Sequence, residues 1–263
     1  MVNAKCLIIC SFFFLQDSDS TMMLLLALVL PLVVQAAPLT VFNPQDCEDV
    51  YNNVSEKSGV YTIYPGAPDT AVKVYCDMGC DNDRGKWTVI QRRTDGSVNF
   101  YRSWEQYKNG FGDASNEYWL GLQNIFFITS RGKYELRIYM EDFEKGSVYA
   151  HYTSFFIDSE TYRYKLHISG FINGGAGNSV ETHNGQKFST FNKDQYTGGC
   201  CAKNHLGAFW SCSCHHANPN GVYLCGNGGT HYAIGNVWNH WKGYDYGMKF
   251  ISMKIRHVSE TQA

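Results

Sequence analysis

Tyr134-Glu135-Leu136-Arg137-Ile138-Tyr139-Met140 alternates apolar with more polar residues along its length. Successive side chains of a strand point to opposite faces, so Tyr134, Leu136, Ile138 and Met140 share one face while Glu135 and Arg137 share the other. A strand with one wetted face belongs to an antiparallel sheet, because parallel strands are buried on both sides. The same period appears upstream at Tyr61 and Ile63, at Val72 and Val74, and at Trp87, Val89 and Gln91. Downstream it appears at Tyr164, Leu166 and Ile168, and again at Ile251, Met253 and Ile255, a final strand expected to return to the central sheet. Short helices fit between these runs. Asp46 can cap one that carries Glu48 and Asp49 in its first turn and ends before Gly59. Ser103 and Gln106 have capping-box spacing for a second helix over 104–108, which Gly110 stops.

Composition narrows the classes of function. The protein has 263 residues, with 22 Lys+Arg against 24 Asp+Glu and a formal net charge of -2, a balance that argues against nucleic acid as a partner. Hydrophobic residues make up 44% and aromatic residues 15%, enough for a sizeable core and too much for a disordered polypeptide. Residues 22–34, MMLLLALVLPLVV, are too short to span a bilayer and are followed by Val34-Gln35-Ala36, a signal-peptidase pattern. The expectation is a signal peptide over 1–36, with Met22 or Met23 as an alternative start, then a short segment over 37–45 without collagen-like or heptad repeats, and no membrane span. Of ten cysteines, Cys6 and Cys10 precede that cleavage site; the remaining eight, in an oxidising compartment, imply disulfides. Asn53-Val54-Ser55 is a glycosylation sequon.

Between about Gly170 and Gly247 the periodicity fades, and Gly, Asn, His, Cys and aromatic residues accumulate, as in segments that carry function. No nucleophile elbow, zinc-protease helix or phosphate loop is present, so the reading is of a protein that is not an enzyme. The stretch 192–198 places the side-chain oxygens of Asn192 and Asp194 two residues apart, suited either to one hard cation or to an Asx-rich surface turn. Lys203 stands where an EF-hand needs Glu. Cys200, Cys201, Cys212, Cys214, His215 and His216 could ligate zinc, although thiols in a secreted protein favour disulfides. His215, Tyr223, Tyr232, Trp238, Trp241 and Tyr244 can line a small amphipathic pocket or pack as core.

A series of motifs then stands out: Val74-Tyr75-Cys76-Asp77-Met78, Gly85-Lys86-Trp87-Thr88-Val89, Glu117-Tyr118-Trp119-Leu120-Gly121-Leu122, Lys187-Phe188-Ser189-Thr190-Phe191, Gly207-Ala208-Phe209-Trp210, Cys214-His215, Asn220-Gly221 and Met253-Lys254-Ile255-Arg256. With them, residues 46–257 resemble a fibrinogen-related domain, followed by a tail over 258–263. The resemblance implies an α+β fold: a fibrinogen C-terminal-like globular domain whose central twisted antiparallel sheet carries short helices and a loop-rich C-terminal subdomain for calcium and ligand. It also implies disulfides Cys47–Cys76 and Cys201–Cys214, leaving Cys80, Cys200, Cys212 and Cys225 without assigned partners. One calcium site would use the side chains of Asn192 and Asp194 and the carbonyls of Tyr196 and Gly198. Here the sequence departs from the family, which has Asp in place of Asn192, and the loss of one charge should weaken the site. An acetyl-group pocket would follow a cis peptide before Cys201 and be walled by His205, His215, Tyr232, Ala233 and Tyr244, with His205 where sugar-binding members often have Tyr. By resemblance to members without a stalk, the expected protein is a secreted, homo-oligomeric extracellular-matrix glycoprotein that binds elastic-fibre microfibril components and collagen. The alternative is an innate-immune lectin for acetylated carbohydrates.

Overall fold

Residues Tyr134–Glu141 form β6, and its positions alternate strictly between buried and half-buried, as their sequence dictates. The computed structural model describes residues 42–66, 70–79, 85–194, 201–211, 215–227 and 232–258. The expected signal peptide, most of segment 37–45, the tail beyond 258, and Cys80, Tyr196, Gly198, Cys200, Cys212 and Cys214 lie outside the described residues. Around β6 are β1 (Gly59–Ile63), β2 (Val72–Asp77), β3 (Trp87–Arg93), β4 (Phe111–Gly112), β5 (Tyr118–Trp119), β7 (Ser147–Ile157), β8 (Leu166–Gly174) and the late strand β11 (Phe250–His257). Among the described residues these nine form one antiparallel sheet, ordered β1-β2-β3-β11-β6-β7-β8, with β5 paired to both β3 and β4. The C-terminal strand does return to the middle, between β3 and β6.

That central position changes the pattern expected for β3 and β11. Trp87 to Gln91 and Ile251 to Ile255 are buried at every position instead of alternating. One face packs on the core; the other is roofed by the long side chains of charged residues, whose stems cover the sheet. Arg256, Arg137 and Lys254 lie 4.2, 5.0 and 5.3 Å from the Trp87 ring centroid. Lys254 pairs with Asp77 and Arg256 with Glu135, each at 2.6 Å. Tyr164 also departs from the expected strand: β8 begins at Leu166, and Tyr164 takes a φ of 50° in the preceding turn, with its ring buried 5.8 Å from that of Trp104.

Both expected helices are present. α1 (Cys47–Asn53) is capped by Asp46, whose Oδ1 accepts from the backbone N–H of Glu48 at 2.9 Å and of Asp49 at 3.0 Å. α2 (Trp104–Asn109) opens with the Ser103–Gln106 capping box and stops at Gly110, with a φ of 93° that favours glycine. A third helix, α3 (Leu122–Thr129), buries Leu122, Ile125 and Ile128. The Cys47–Cys76 disulfide ties α1 to β2. No helix among the described residues is long and apolar enough to cross a membrane.

Beyond β8 the backbone is largely irregular, with α4 (Cys201–Asn204), β9 (Gly226–Asn227), α5 (Asn239–Lys242) and β10 (Tyr246–Gly247) as short regular pieces. Its polar groups are satisfied chiefly by turns and by buried side chains. Arg93 of β3 donates to the carbonyls of Pro219 at 2.9 Å and Gly221 at 2.8 Å, and Gln91 donates to Pro219 at 3.0 Å. Asn220 donates to Ala208 O and Asn236 to Met248 O. Tilted and edge-on rings of Tyr107, Trp119, Phe188 and Trp210, with centroids 5.1–6.3 Å apart, join this region to the sheet's core.

Candidate functional site

Two neighbourhoods hold the residues expected to bind ligand and metal. In the first, the turn after α4 supplies His205, the segment at 215–217 supplies His215, and the loop before α5 supplies Ala233. The rings of His205 and His215 meet edge-on at 4.6 Å, and His215 meets Tyr244 at 6.2 Å. Tyr232 lies 5.3 Å from Tyr244 and is 64% exposed, so it stands at the outer edge of the cluster. Ala233 N–H donates to Tyr244 O at 3.0 Å, which fixes the two loops to each other. All five residues expected at the pocket wall therefore come together.

Ala233 takes a φ of 63° and neighbouring Leu206 a φ of 47°. Such left-handed backbone is costly for residues with a Cβ. Beneath the wall lies a layer of histidines that spacing alone could not connect. His183 is buried; its Nδ1 is 2.7 Å from Trp210 O, and its Nε2 accepts from Ala217 N–H at 3.3 Å. Burial pushes His183 down to about 4. Burial likewise pushes His215 down to about 3, with repulsion from His205, His183 and His216 adding to it, while the Ala233 backbone opposes the shift. His205 is lowered by burial. These imidazoles are neutral at physiological pH. His215 Nε2 is buried without a hydrogen-bond partner among the described residues, a polar group a ligand could satisfy.

In the second neighbourhood, the turn after Thr190 is pinned from three sides. Asn192 Oδ1 accepts from Trp104 N–H at 3.0 Å and from Thr190 Oγ1 at 2.9 Å. The Lys193 ammonium lies 3.9 Å over the Trp104 ring. Arg163 Nη1 donates to Asp194 O at 2.9 Å. Both lone pairs of the Asn192 carbonyl are thus used within the protein, while Asp194 is half-buried beside it. The carbonyls expected from Tyr196 and Gly198 lie outside the described residues.

Cys201 is buried, and its expected partner Cys214 lies outside the described residues. Cys225 is exposed and free. Asn53 is exposed at the end of α1, where its Nδ2 donates to Asp49 O at 3.0 Å. Ser179 Oγ is 2.8 Å from His240 Nδ1, a spacing that suits nucleophile and base. Ser179, however, is fully buried and its Oγ also accepts from His240 N–H at 3.0 Å, so the pair ties the segment after β8 to the start of α5.

Known proteins share this sequence and this fold. A family model described as fibrinogen beta and gamma chains, C-terminal globular domain, matches residues 43–258. Human Microfibril-associated glycoprotein 4 is 49% identical over 224 residues, 82% of this chain and 86% of that one. Human Fibrinogen C domain-containing protein 1 is 43% identical over 220 residues, 81% of this chain but 47% of that longer one. The solved fibrinogen-like globe domain of human ANGPTL2 is 40% identical, covers 82% of this chain and all of its own, and superposes with a TM-score of 0.77.

Proposed function

The protein belongs to the family of C-terminal globular domains found in the fibrinogen beta and gamma chains, and on that premise we propose that it is a secreted, homo-oligomeric recognition protein of the extracellular matrix. It docks on elastic-fibre microfibril or collagen components through its loop-rich face, and recognition rather than catalysis is its task. Similarity to proteins named Microfibril-associated glycoprotein 4 in mouse, human and cattle, at 49–50% identity, supports the choice of partner class. The observation that carries the reading is the convergence of His205, His215, Tyr232, Ala233 and Tyr244 around His215 Nε2, which is unpartnered among the described residues. Neutral rings on the wall and a polar donor or acceptor within suit an acetyl group: the methyl packs on the rings and the amide meets the polar atoms. Recognition of acetylated glycans by the same pocket is the second reading.

Calcium would be held by Asp194 and the carbonyls of Tyr196 and Gly198, with Asn192 joining them where Thr190 Oγ1 gives up its bond to the Asn192 oxygen. Because the Asn192 oxygen already serves two donors, Asp194 supplies the charge, and the cation's part is to brace the loop that leads to the pocket. The test is retention of purified protein on an N-acetylated resin and on immobilised elastic-fibre proteins, with and without chelator, alongside Asp194→Ala and His215→Ala. Matrix binding that both variants weaken supports docking through this face; release from the resin by free acetylated sugar selects the lectin reading. Retention on neither support overturns both.

A further inference from the structure

The sheet face turned away from the core carries a groove of about 330 Å³ across β2, β3, β11 and β6. Its cause is Ser252. This small residue of β11 stands in register with Arg92 of β3 on one side and Tyr139 of β6 on the other, so long neighbours surround a short side chain. Phe250, two residues along β11, is in register with Glu141. Tyr75 closes the β2 side beneath Arg92, whose guanidinium carbon is 4.4 Å from the ring centroid.

The charges on this face are matched, with two exceptions. Asp77 is neutralised by Lys254 at 2.6 Å, and Glu135 by Arg256 at 2.6 Å, with His151 Nε2 in hydrogen-bond contact with its other oxygen at 2.6 Å. Among the described residues neither Arg92 nor Glu141 has an oppositely charged partner; Glu141 Oε1 accepts only from the Tyr139 hydroxyl, at 3.0 Å. Nε and Nη1 of Arg92 are shielded from solvent and make no hydrogen bond in the protein, so the fold already bears part of the desolvation of that cation. A positive and a negative group thus line one groove from opposite walls, two strands apart, with the rings of Tyr75, Tyr139 and Phe250 around them.

We propose that the groove over Ser252 is a binding site for a zwitterion of the amino-acid type. Its carboxylate meets Arg92, its ammonium meets Glu141, and its apolar body lies against the three rings. A ligand bearing both charges gains two charge-assisted hydrogen bonds where a single-charge ligand gains one and leaves the opposite wall unpaired. The inference does not depend on the pocket at His215.

Isothermal titration of the purified protein with L-phenylalanine tests it, with 3-phenylpropanoate and phenethylamine as ligands that each lack one charge. Phenylalanine is expected to bind saturably and about tenfold more tightly than either half-ligand. Arg92→Gln and Glu141→Gln should each erase that margin, and Ser252→Leu should fill the groove and abolish binding, while His215→Ala leaves it intact. Equal binding of the three ligands, no saturable binding, or indifference to Arg92→Gln with the fold intact would overturn the proposal.

Discussion

The sheet and the segment from Gly175 to Met248 meet the same requirement, that buried backbone N–H and C=O groups be paired, by different means. In the sheet, ladders do it: β6 and β11 are in register from Tyr134 opposite His257 to Glu141 opposite Phe250, whatever the side chains are. In the later segment, particular side chains do much of it, with Arg93, Asn218, Asn220 and Asn236 each donating to loop carbonyls. A ladder tolerates substitution wherever the apolar face is kept. A loop held by individual side chains fails when one of them is lost, so the pocket should be the more fragile half.

The most severe test is Arg93→Ala. Arg93 is fully buried, its Nε is 3.7 Å from the buried Glu117 carboxylate, and burial lowers it to about 10 against Glu117's pull. Truncation leaves the buried Glu117 carboxylate without its counter-charge, held only by the backbone N–H groups of Thr94, Asp95, Gly96 and Val98, and frees two loop carbonyls at once. A loss of about 3–5 kcal/mol is expected in chemical denaturation. A loss below about 1 kcal/mol would mean that the loops are held by packing and that the contrast with the sheet is wrong.

Acid should next separate the two halves. His183 and His215 are held neutral in the fold, lowered from the usual 6.5 to about 4 and about 3, so unfolding lets them take up protons. A lowered histidine contributes its stability in full above about pH 6.5 and loses it as pH falls toward its folded value. For His183 alone the loss approaches roughly 3 kcal/mol at low pH. Asp77 and Glu135 are also lowered, by ion pairs and hydrogen bonds that outweigh burial, but their ordinary values of 3.8 and 4.5 confine their loss to more acid solution. Between about pH 6.5 and 5, hydrogen exchange should therefore quicken at the backbone around Trp210 and Ala217 before it does in β6. Simultaneous loss in both would refute a separate acid-sensitive layer.

The same contrast explains what could be read from the residues. Alternation at Tyr134–Met140 and the cap patterns at Asp46 and Ser103 are local signals, and each led to the element found. The double burial of β3 and β11 was not local; it follows from their place at the sheet's centre and from Arg137 and Arg256 folding over Trp87. The five pocket residues came from family resemblance, since nothing in the spacing of His205, His215 and Tyr244 says that their rings meet. His183 and the strained Leu206 were missed, because a buried histidine and a left-handed backbone carry no sequence signature outside glycine. Arg92 and Ser252 carry no local signal of a site, and only their register makes a groove.

Asn236→Ala tests one polar stitch without stranding a charge. Its Nδ2 bond to Met248 O at 2.8 Å ties the pocket loop to the residues just before β11, and Asn236 is fully buried. A cost of about 1–3 kcal/mol is expected, with weakened binding at the pocket. A substitution in the exposed turn before β1, such as Lys57→Ala, should stay within about 0.5 kcal/mol.

Asn192 belongs to both halves and so gives the finest test. From the loop side it is the first expected calcium ligand; from the sheet side its Oδ1 accepts the Trp104 N–H at the start of α2. Asn192→Ala removes that acceptor and should cost about 1 kcal/mol without calcium. Asn192→Asp keeps an acceptor, adds negative charge at the positive end of the helix and restores the carboxylate the resemblance leads one to expect, so it should match or slightly exceed the parent in stability. If the calcium proposal holds, the Asp variant gains further on adding calcium, by an amount growing with the logarithm of its concentration, while the Ala variant gains less than the parent. If both variants respond to calcium as the parent does, Asn192 serves the helix alone, and the boundary between scaffold and site falls after it, at Asp194.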